Sequence, residues 1–223
     1  MRSQSQWVPI SASALIVGAM SLVLGQMLNP SGSNESPATV LEAAGDSSAR
    51  WMAMSVLFFA AAAAVGLVLG LPCILSLFTG KGRVLGMIGV GIFSVGAISL
   101  AGFSAVMLMF RALAVNEAVD LTIVDDVLAD GGLSVMLNVW AFSFLGGVAV
   151  IALALFRSKR TPAWVPGLLT VFLVIQFVPL SDGRAVSAIG LLAFAAGLTG
   201  IATRATSLAS PGPTIGSAPV SPA

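Results

Sequence analysis

Histidine is absent from this chain of 223 residues, and only one cysteine is present. Histidine is the commonest acid, base and metal ligand at neutral pH, so its absence excludes histidine-dependent serine and zinc proteases and histidine-ligated haem. A single cysteine cannot form an intrachain disulfide, so cysteine pairing says nothing about the redox compartment. Cys73 lies within an apolar run, which favours a small buried apolar side chain.

Charge is also scarce in this sequence. Only 9% of the residues are charged, whereas about a quarter are charged in ordinary soluble domains. Hydrophobic residues make up 57% of the chain, and the mean hydropathy is +1.03. The formal net charge of +1 provides no basic face for nucleic acid. The composition therefore predicts an integral membrane protein whose main partner is the lipid bilayer.

Long apolar runs predict an all-α, polytopic bundle of six transmembrane helices. A helix needs about 20 apolar residues to cross a hydrocarbon core about 30 Å thick. The runs cover residues 7–28, 51–78, 84–110, 134–156, 164–180 and 185–203. Residues 1–204 form one predicted membrane domain, and residues 205–223, rich in Ser, Pro, Ala and Gly, are predicted as a disordered cytoplasmic tail. Trp7, Trp51 and Trp164 fall at predicted membrane interfaces, where aromatic belts form.

The positions of the cations predict the orientation of the bundle. Two short turns between spans contain five cations, namely Lys81, Arg83, Arg157, Lys159 and Arg160. Cytoplasmic loops carry an excess of Lys and Arg, so both turns and both termini are predicted to be cytoplasmic. All nine acidic residues then fall on the outer side. The five cations are predicted to contact anionic lipid headgroups.

Small residues recur at helical spacing in several spans. The stripes are Ser11, Ala14, Gly18, Ser21 and Gly25 in the first span, Gly66 and Gly70 in the second, Ala97, Ala101 and Ala105 in the third, and Gly190, Ala193, Gly197 and Gly200 in the sixth. In lipid, such stripes let helix backbones approach closely. The first and sixth spans are therefore predicted to pack together, and the second with the third or the first. Pro72 is predicted to kink the second span.

The polar loops predict two short helices outside the membrane. One begins with Pro37 at its first position and ends near Gly45. The other is amphipathic, covers residues 120–129 and is stopped by Gly131 and Gly132. The loop carboxylates lack the spacing of a calcium-binding loop, so a solvated acidic face is favoured and no metal site is predicted.

No ionisable residue lies near the centre of a predicted span, where membrane enzymes and pumps place such groups. The sequence therefore predicts no catalytic residue and no cofactor. Asn138 and Gln176 each lie four residues from the outer end of a span, about 6 Å in depth, and are predicted to form an interhelical polar pair. Methionines near the outer helix ends are interpreted as packing residues in preference to a Cu(I) site.

Three segments carry a resemblance to a group of known sequences. They are Ala49-Arg50-Trp51 at the start of a span, Gly70-Leu71-Pro72 near its end, and residues 156–164 at the later turn. With these segments, the chain from Ala38 onward resembles a loose group of uncharacterised multi-spanning proteins from high-GC Gram-positive bacteria. The resemblance implies a protein of the bacterial cytoplasmic membrane and brings no catalytic residues with it.

The leading hypothesis is a non-catalytic structural or interaction component of a membrane complex, with other membrane proteins or further copies of the chain as partners. The alternative is a small transporter or channel subunit. A water-filled cavity lined by Asn138, Gln176, Ser94 and Ser104 would favour transport, whereas a dry bundle packed through small residues would favour the structural role. An enzyme is the third possibility and would require loop carboxylates that converge on a pocket.

Overall fold

A computed structural model describes residues 4–30, 37–67, 69–116, 130–177 and 184–210. These residues form helices and connecting turns without a β-strand. The α-helices are α1 (Gln4–Leu28), α2 (Pro37–Asp46), α3 (Ser48–Ala61), α4 (Leu71–Leu75), α5 (Arg83–Val115), α6 (Gly131–Ser158), α7 (Trp164–Phe177) and α8 (Arg184–Ala209). A π-helical turn, Ala62–Leu67, follows α3, and a 3₁₀ turn, Gly80–Gly82, precedes α5.

The fold is that of an all-α polytopic membrane protein, as predicted. Within the described ranges, α1, α5, α6 and α8 are long and apolar enough to cross a membrane. The chain bends by 102° between α2 and α3, and this pair would be a fifth span if it is counted as one bent segment. The 14 residues of α7 reach about 21 Å, which is short of a full crossing. The total of six transmembrane spans stays a prediction.

The second span is not the continuous helix that was predicted over residues 51–78. It is divided into α3, the π-helical turn and the short α4. Pro72 lies in the first turn of α4, where its missing N–H costs nothing, and it cannot continue a helix that arrives from residue 67. The prediction that Pro72 disturbs this span is confirmed, although the result is a break and not a kink.

The long elements form a closed ring. α1 packs on α3, α3 on α5, α5 on α6, α6 on α7, α7 on α8, and α8 on α1. Successive elements run in opposite directions, since a single cavity is lined by the C-terminal parts of α1, α5 and α7 and by the N-terminal parts of α3, α6 and α8. The two cation-containing turns consequently lie at the opposite end, which we call the cation end.

The tightest helix contact joins α5 to α6 through glycines that repeat every seven residues. A β-carbon at Gly89 would lie 3.0 Å from the Ile151 backbone nitrogen, and one at Gly96 would lie 2.5 Å from the Phe144 backbone nitrogen. The contact is equally close from the side of α6, since a β-carbon at Gly147 would lie 2.5 Å from Phe93 Cα. A seven-residue repeat of small residues is the pattern that keeps two antiparallel helices in backbone contact.

The predicted small-residue stripes are contact surfaces, but their partners differ in part. α1 and α8 do pack together. However, Gly197 and Gly200 of α8 lie against Leu169, Val165 and Trp164 of α7. On α1, Gly25 lies against Phe58 of α3. In the third span Ala97 is buried, whereas Ala105 is exposed, so that stripe does not form a continuous seam.

Large apolar side chains cover the outside of the ring. Each ring element exposes at least one, for example Val17 on α1, Ile98 on α5, Phe142 on α6, Val174 on α7 and Leu192 on α8. Phe142 is 69% exposed. A soluble protein rarely exposes so continuous an apolar surface. Lipid is therefore the medium that this exterior fits.

Several boundaries differ from the predicted ones. Helix α2 confirms the predicted short helix that begins at Pro37. Gly131 and Gly132 begin α6, where the Asp130 carboxylate accepts hydrogen bonds from the Gly132 and Leu133 backbone N–H groups. Helix α8 continues to Ala209, so residues 205–209 are helical where a disordered tail was predicted. The amphipathic helix predicted over residues 120–129 and the remaining tail lie outside the described residues.

Candidate functional site

The cation end brings the two predicted cytoplasmic turns into contact. A β-carbon at Gly82 would lie 2.8 Å from the Ala154 carbonyl oxygen and 3.1 Å from the Ser158 backbone nitrogen. The turn after α6 is also tied to α8, since Arg204 Nε donates a hydrogen bond of 2.8 Å to the Arg160 carbonyl oxygen. The headgroup residues predicted from the sequence are all exposed at this end: Lys81, Arg83, Arg157, Lys159 and Arg160.

No acidic residue occurs in the sequence between residues 47 and 116 or between residues 131 and 181. The two turns therefore carry their positive charge without a carboxylate in either connected segment. Concentrated positive charge at a helix end attracts the anionic headgroups of a cytoplasmic leaflet. The arrangement is chemically suited to a lipid surface.

The interior is closed near the cation end by α4. This short helix contacts α1, α5 and α8 at once, and its Cys73 and Ile74 are completely buried, as is Leu77 in the turn that follows. Ser11 of α1 satisfies the N-terminus of α4, because its Oγ accepts a hydrogen bond of 2.9 Å from the Cys73 backbone N–H. The broken second span thus places buried apolar side chains between α1, α5 and α8.

The opposite half of the ring encloses a cavity of about 570 Å³. Its polar lining residues, Gln26, Asn29, Gln176 and Ser187, lie at or next to the ends of α1, α7 and α8. Its apolar lining lies further along the helices: Leu22, Val40, Trp51, Met54, Phe58, Leu100, Phe103, Met107, Trp140, Ala141, Phe144, Leu145, Phe172 and Leu191. None of the described lining residues is charged. The cavity therefore has polar residues near the helix ends and an apolar lining in which six side chains are aromatic.

Two tryptophans in the cavity wall differ in their hydrogen bonding. Trp51 is 1% exposed, and its Nε1 donates a hydrogen bond of 2.9 Å to the Met107 carbonyl oxygen. Its predicted place in an interfacial aromatic belt is wrong, because this bond holds the ring inside the bundle. Trp140 stacks on Phe103 with 5.1 Å between ring centroids, and its Nε1 is buried without a hydrogen-bond partner. The other such side-chain atom in the described ranges is Thr161 Oγ1, near the cation end.

A cluster of four phenylalanines forms the floor of the cavity. Phe144 and Phe172 line it, and Phe93 and Phe194 lie behind them toward the cation end. The Phe172 and Phe194 centroids are 4.8 Å apart, and those of Phe93 and Phe144 are 5.2 Å apart. The cluster joins α5, α6, α7 and α8 between the cavity and the cation end.

The predicted polar pair is not among the hydrogen bonds of the described residues. Asn138 is exposed, and its Nδ2 donates to the carbonyl oxygen of Ser134 in the same helix at 2.9 Å. Gln176 instead lines the cavity. The hydroxyls of Ser94 and Ser104 donate to the carbonyls of Val90 and Leu100 one turn earlier, and neither serine lines the cavity.

A metal-binding arrangement is not found in the part of the chain that the structure describes. No group of three or more His, Cys, Asp or Glu residues there could hold an ion. Six methionines lie near the predicted outer helix ends, and the structure disperses them: Met54 and Met107 line the cavity, Met136 is half-buried, and Met27, Met52 and Met109 are exposed. Met54 is buried beside Trp51, in the packing role that was favoured.

Sequence reasoning missed the cavity, although one signal was present. Trp140 and Phe144 are four residues apart on α6, and Phe103 lies seven residues beyond Gly96 on the α5 seam. Large aromatic residues that continue a glycine seam indicate that two helices stop touching and leave space between them. The other walls come from distant segments, which no local pattern brings together.

The fold and the lipid-matched exterior define an all-α polytopic membrane protein with a largely apolar cavity in the half opposite the cation end. Comparison with known protein families, with curated proteins and with solved structures finds no match.

Proposed function

We propose that this protein is a non-catalytic, multi-pass protein of the bacterial cytoplasmic membrane that acts as a structural or interaction component of a membrane complex. The observation that carries the proposal is the apolar interior toward the cation end, where Cys73, Ile74 and Leu77 are completely buried and the phenylalanine cluster packs ring against ring. Transporters and channels handle their substrates through polar or ionisable groups at depth. Here the hydroxyls of Ser94 and Ser104 donate hydrogen bonds to carbonyl oxygens of their own helix.

The apolar exterior supplies surface for neighbouring helices as well as for lipid. Single cysteine replacements of Val17, Ile98, Phe142 and Leu192 sample four faces of the ring. Cys73 is completely buried, so the native thiol does not compete for a cross-linker. In native membranes we expect cross-linked species larger than the 22.5 kDa chain at one face and not at the others. If all four positions give only the single chain, the interaction role is wrong.

The cation end supports an orientation with both hairpin turns in the cytoplasm. Its five exposed cations would contact anionic headgroups of the inner leaflet, as the positive-inside rule requires. The resemblance to membrane proteins of high-GC Gram-positive bacteria, which rests on the three sequence segments alone, would place the chain in the bacterial cytoplasmic membrane. A reporter that is active only outside the cytoplasm should be inactive when inserted at Lys81 or Lys159 and active at Asp125. Activity at the lysine turns would reverse the topology.

A small transporter is the second proposal, because a cavity in one half of the helix bundle is what one state of an alternating-access transporter would show. Reconstitution in liposomes separates the two functions. The structural role predicts fluxes of Na⁺, K⁺ and protons equal to those of empty liposomes. A saturable flux that is lost in Ala141→Leu, which fills the cavity, and retained in Ala149→Leu, on the exposed face of the same helix, would establish transport instead.

A further inference from the structure

The cavity opposite the cation end is held open by its own walls. Phe103 of α5 and Trp140 of α6 stack with 5.1 Å between ring centroids, so the two helices do not approach there as they do at Gly96 and Gly147. The floor is also fixed, because Phe144 contacts three other rings of the phenylalanine cluster. The cavity of about 570 Å³ lies within the range of about 300–1,000 Å³ that is typical of ligand pockets.

The lining of the cavity favours a hydrocarbon over water. Most of the described lining residues are apolar, six of them aromatic, and none is charged. Such a space gives water few hydrogen-bond partners, and when it is empty the surrounding side chains lose dispersion contacts. On α5 the lining extends from Met107 to Leu100, about 10 Å along the helix axis. An elongated apolar chain would restore the missing contacts.

The polar lining residues lie at or beside the ends of helices. Gln26, Gln176 and Ser187 are each within three residues of an end of α1, α7 or α8. None of these three is fully buried. The cavity therefore changes from polar at the helix ends to apolar further in, which is the order of headgroup and chain in a lipid of the leaflet on that side.

We propose that the cavity binds one hydrocarbon chain of a membrane lipid, whose headgroup stays at the level of Gln26, Gln176 and Ser187. The bilayer that covers the apolar exterior supplies this ligand. The described lining offers no charged partner, so the chain and not the headgroup charge determines binding. The proposed function does not require a ligand, so failure of this site would leave the cross-linking result unaffected.

Chain length separates the cavity from the micelle around the protein. In a full-length Trp7→Phe, Trp164→Phe background, the two remaining tryptophans, Trp51 and Trp140, both line the cavity. Straight-chain alcohols with a terminal bromine, from bromohexanol to bromotetradecanol, quench indole fluorescence at short range and are titrated in detergent against their free aqueous concentration. We expect saturable quenching, with a dissociation constant that falls about fourfold per added CH₂ until the chain fills the cavity and then stops falling. Quenching that does not saturate, or affinity that rises through the whole series, would overturn the proposal.

Two substitutions in the same background locate the chain. Ala141→Leu fills part of the cavity, so the limiting chain length should become shorter by roughly the three carbons that leucine adds. Ala149→Leu, on the exposed side of α6, should leave the limit unchanged. A limit that Ala141→Leu does not move would place the probe elsewhere and refute the site. Should Ala141→Leu fail to fold, the smaller change Ala141→Val decides by the same criterion.

Bilayer nanodiscs test whether a lipid supplies the chain. Phosphatidylglycerol with brominated acyl chains should quench Trp51 and Trp140 in the same background, and Ala141→Leu should lose most of this quenching. Ala149→Leu should retain it. Equal quenching in all three proteins would mean that the lipid acts only from outside the bundle and would exclude a lipid chain as the occupant.

Discussion

The same ring of helices is sealed in one half and hollow in the other, and α5 shows why. Toward the cation end, Gly89 and Gly96 of α5 and Gly82 in the turn before it face α6, and the two backbones touch. Beyond Gly96 the seam continues with Leu100 and Phe103, and the contact becomes a stack between aromatic rings. The size of the side chains along one seven-residue repeat therefore decides where two membrane helices close and where they leave a cavity.

The largest expected effect comes from a substitution in the closed half, at Gly147 of α6. In Gly147→Ala the new methyl would lie 2.5 Å from Phe93 Cα, and backbone cannot move aside as a side chain can. We expect a loss of about 3 kcal/mol in the free energy of unfolding, at the upper end for overpacking. The measurement is equilibrium unfolding in mixed micelles followed by circular dichroism.

Gly146→Ala is the matched control for this change. Gly146 is adjacent in α6, and its β-carbon would meet nothing within 4 Å. Alanine favours a helix over glycine by up to about 1 kcal/mol, so Gly146→Ala should be neutral or stabilising. Equal losses in the two variants would contradict the close α5–α6 seam.

The next effect concerns the wall of the hollow half. Trp51→Phe removes the hydrogen bond to the Met107 carbonyl and leaves a small void at a residue that is 1% exposed. We expect a loss of about 2 kcal/mol by the same unfolding measurement. Trp7→Phe, at a tryptophan that is 63% exposed, should change stability by less than about 0.5 kcal/mol. A similar response at both positions would return Trp51 to the interfacial role predicted from the sequence.

The sequence predicted most of what depends on local composition. The apolar runs located α1, α5, α6 and α8 to within six residues at each end, since the length and hydropathy of a run determine whether it can cross. Pro37 and Pro72 marked a helix start and a break, because a missing N–H acts locally.

Contacts between distant segments could not be predicted in the same way. The spacing of Gly197 and Gly200 placed them on one face of α8, but nothing in the spacing said that α7 would occupy that face. The position of Trp51 at the end of an apolar run gave an interfacial role, whereas its hydrogen bond to α5 depends on how the bundle closes. The cavity depends on all of these contacts together, so it emerges only from the assembled ring.

A smaller effect is expected where α4 closes the bundle. Ser11→Ala leaves the buried Cys73 N–H without its acceptor, at a cost of about 1 kcal/mol in unfolding free energy. Ser13, two residues along α1, is exposed, and Ser13→Ala should be neutral. If both substitutions are neutral, the hydrogen bond from Cys73 to Ser11 contributes nothing to the closure of this half.

The smallest effect is expected in the turn after α6, where one substitution should raise the free energy of unfolding. Lys159 ends α6 with a φ of 52°, a left-handed conformation that glycine adopts without strain. Lys159→Gly should therefore raise the free energy of unfolding by about 0.5 kcal/mol. Arg157→Gly removes the same charge, but it lies inside the last turn of α6, so it should lower stability by about 1 kcal/mol. Since both variants lose one cation, losses of equal size would mean that charge, and not backbone conformation, determines the stability of this turn.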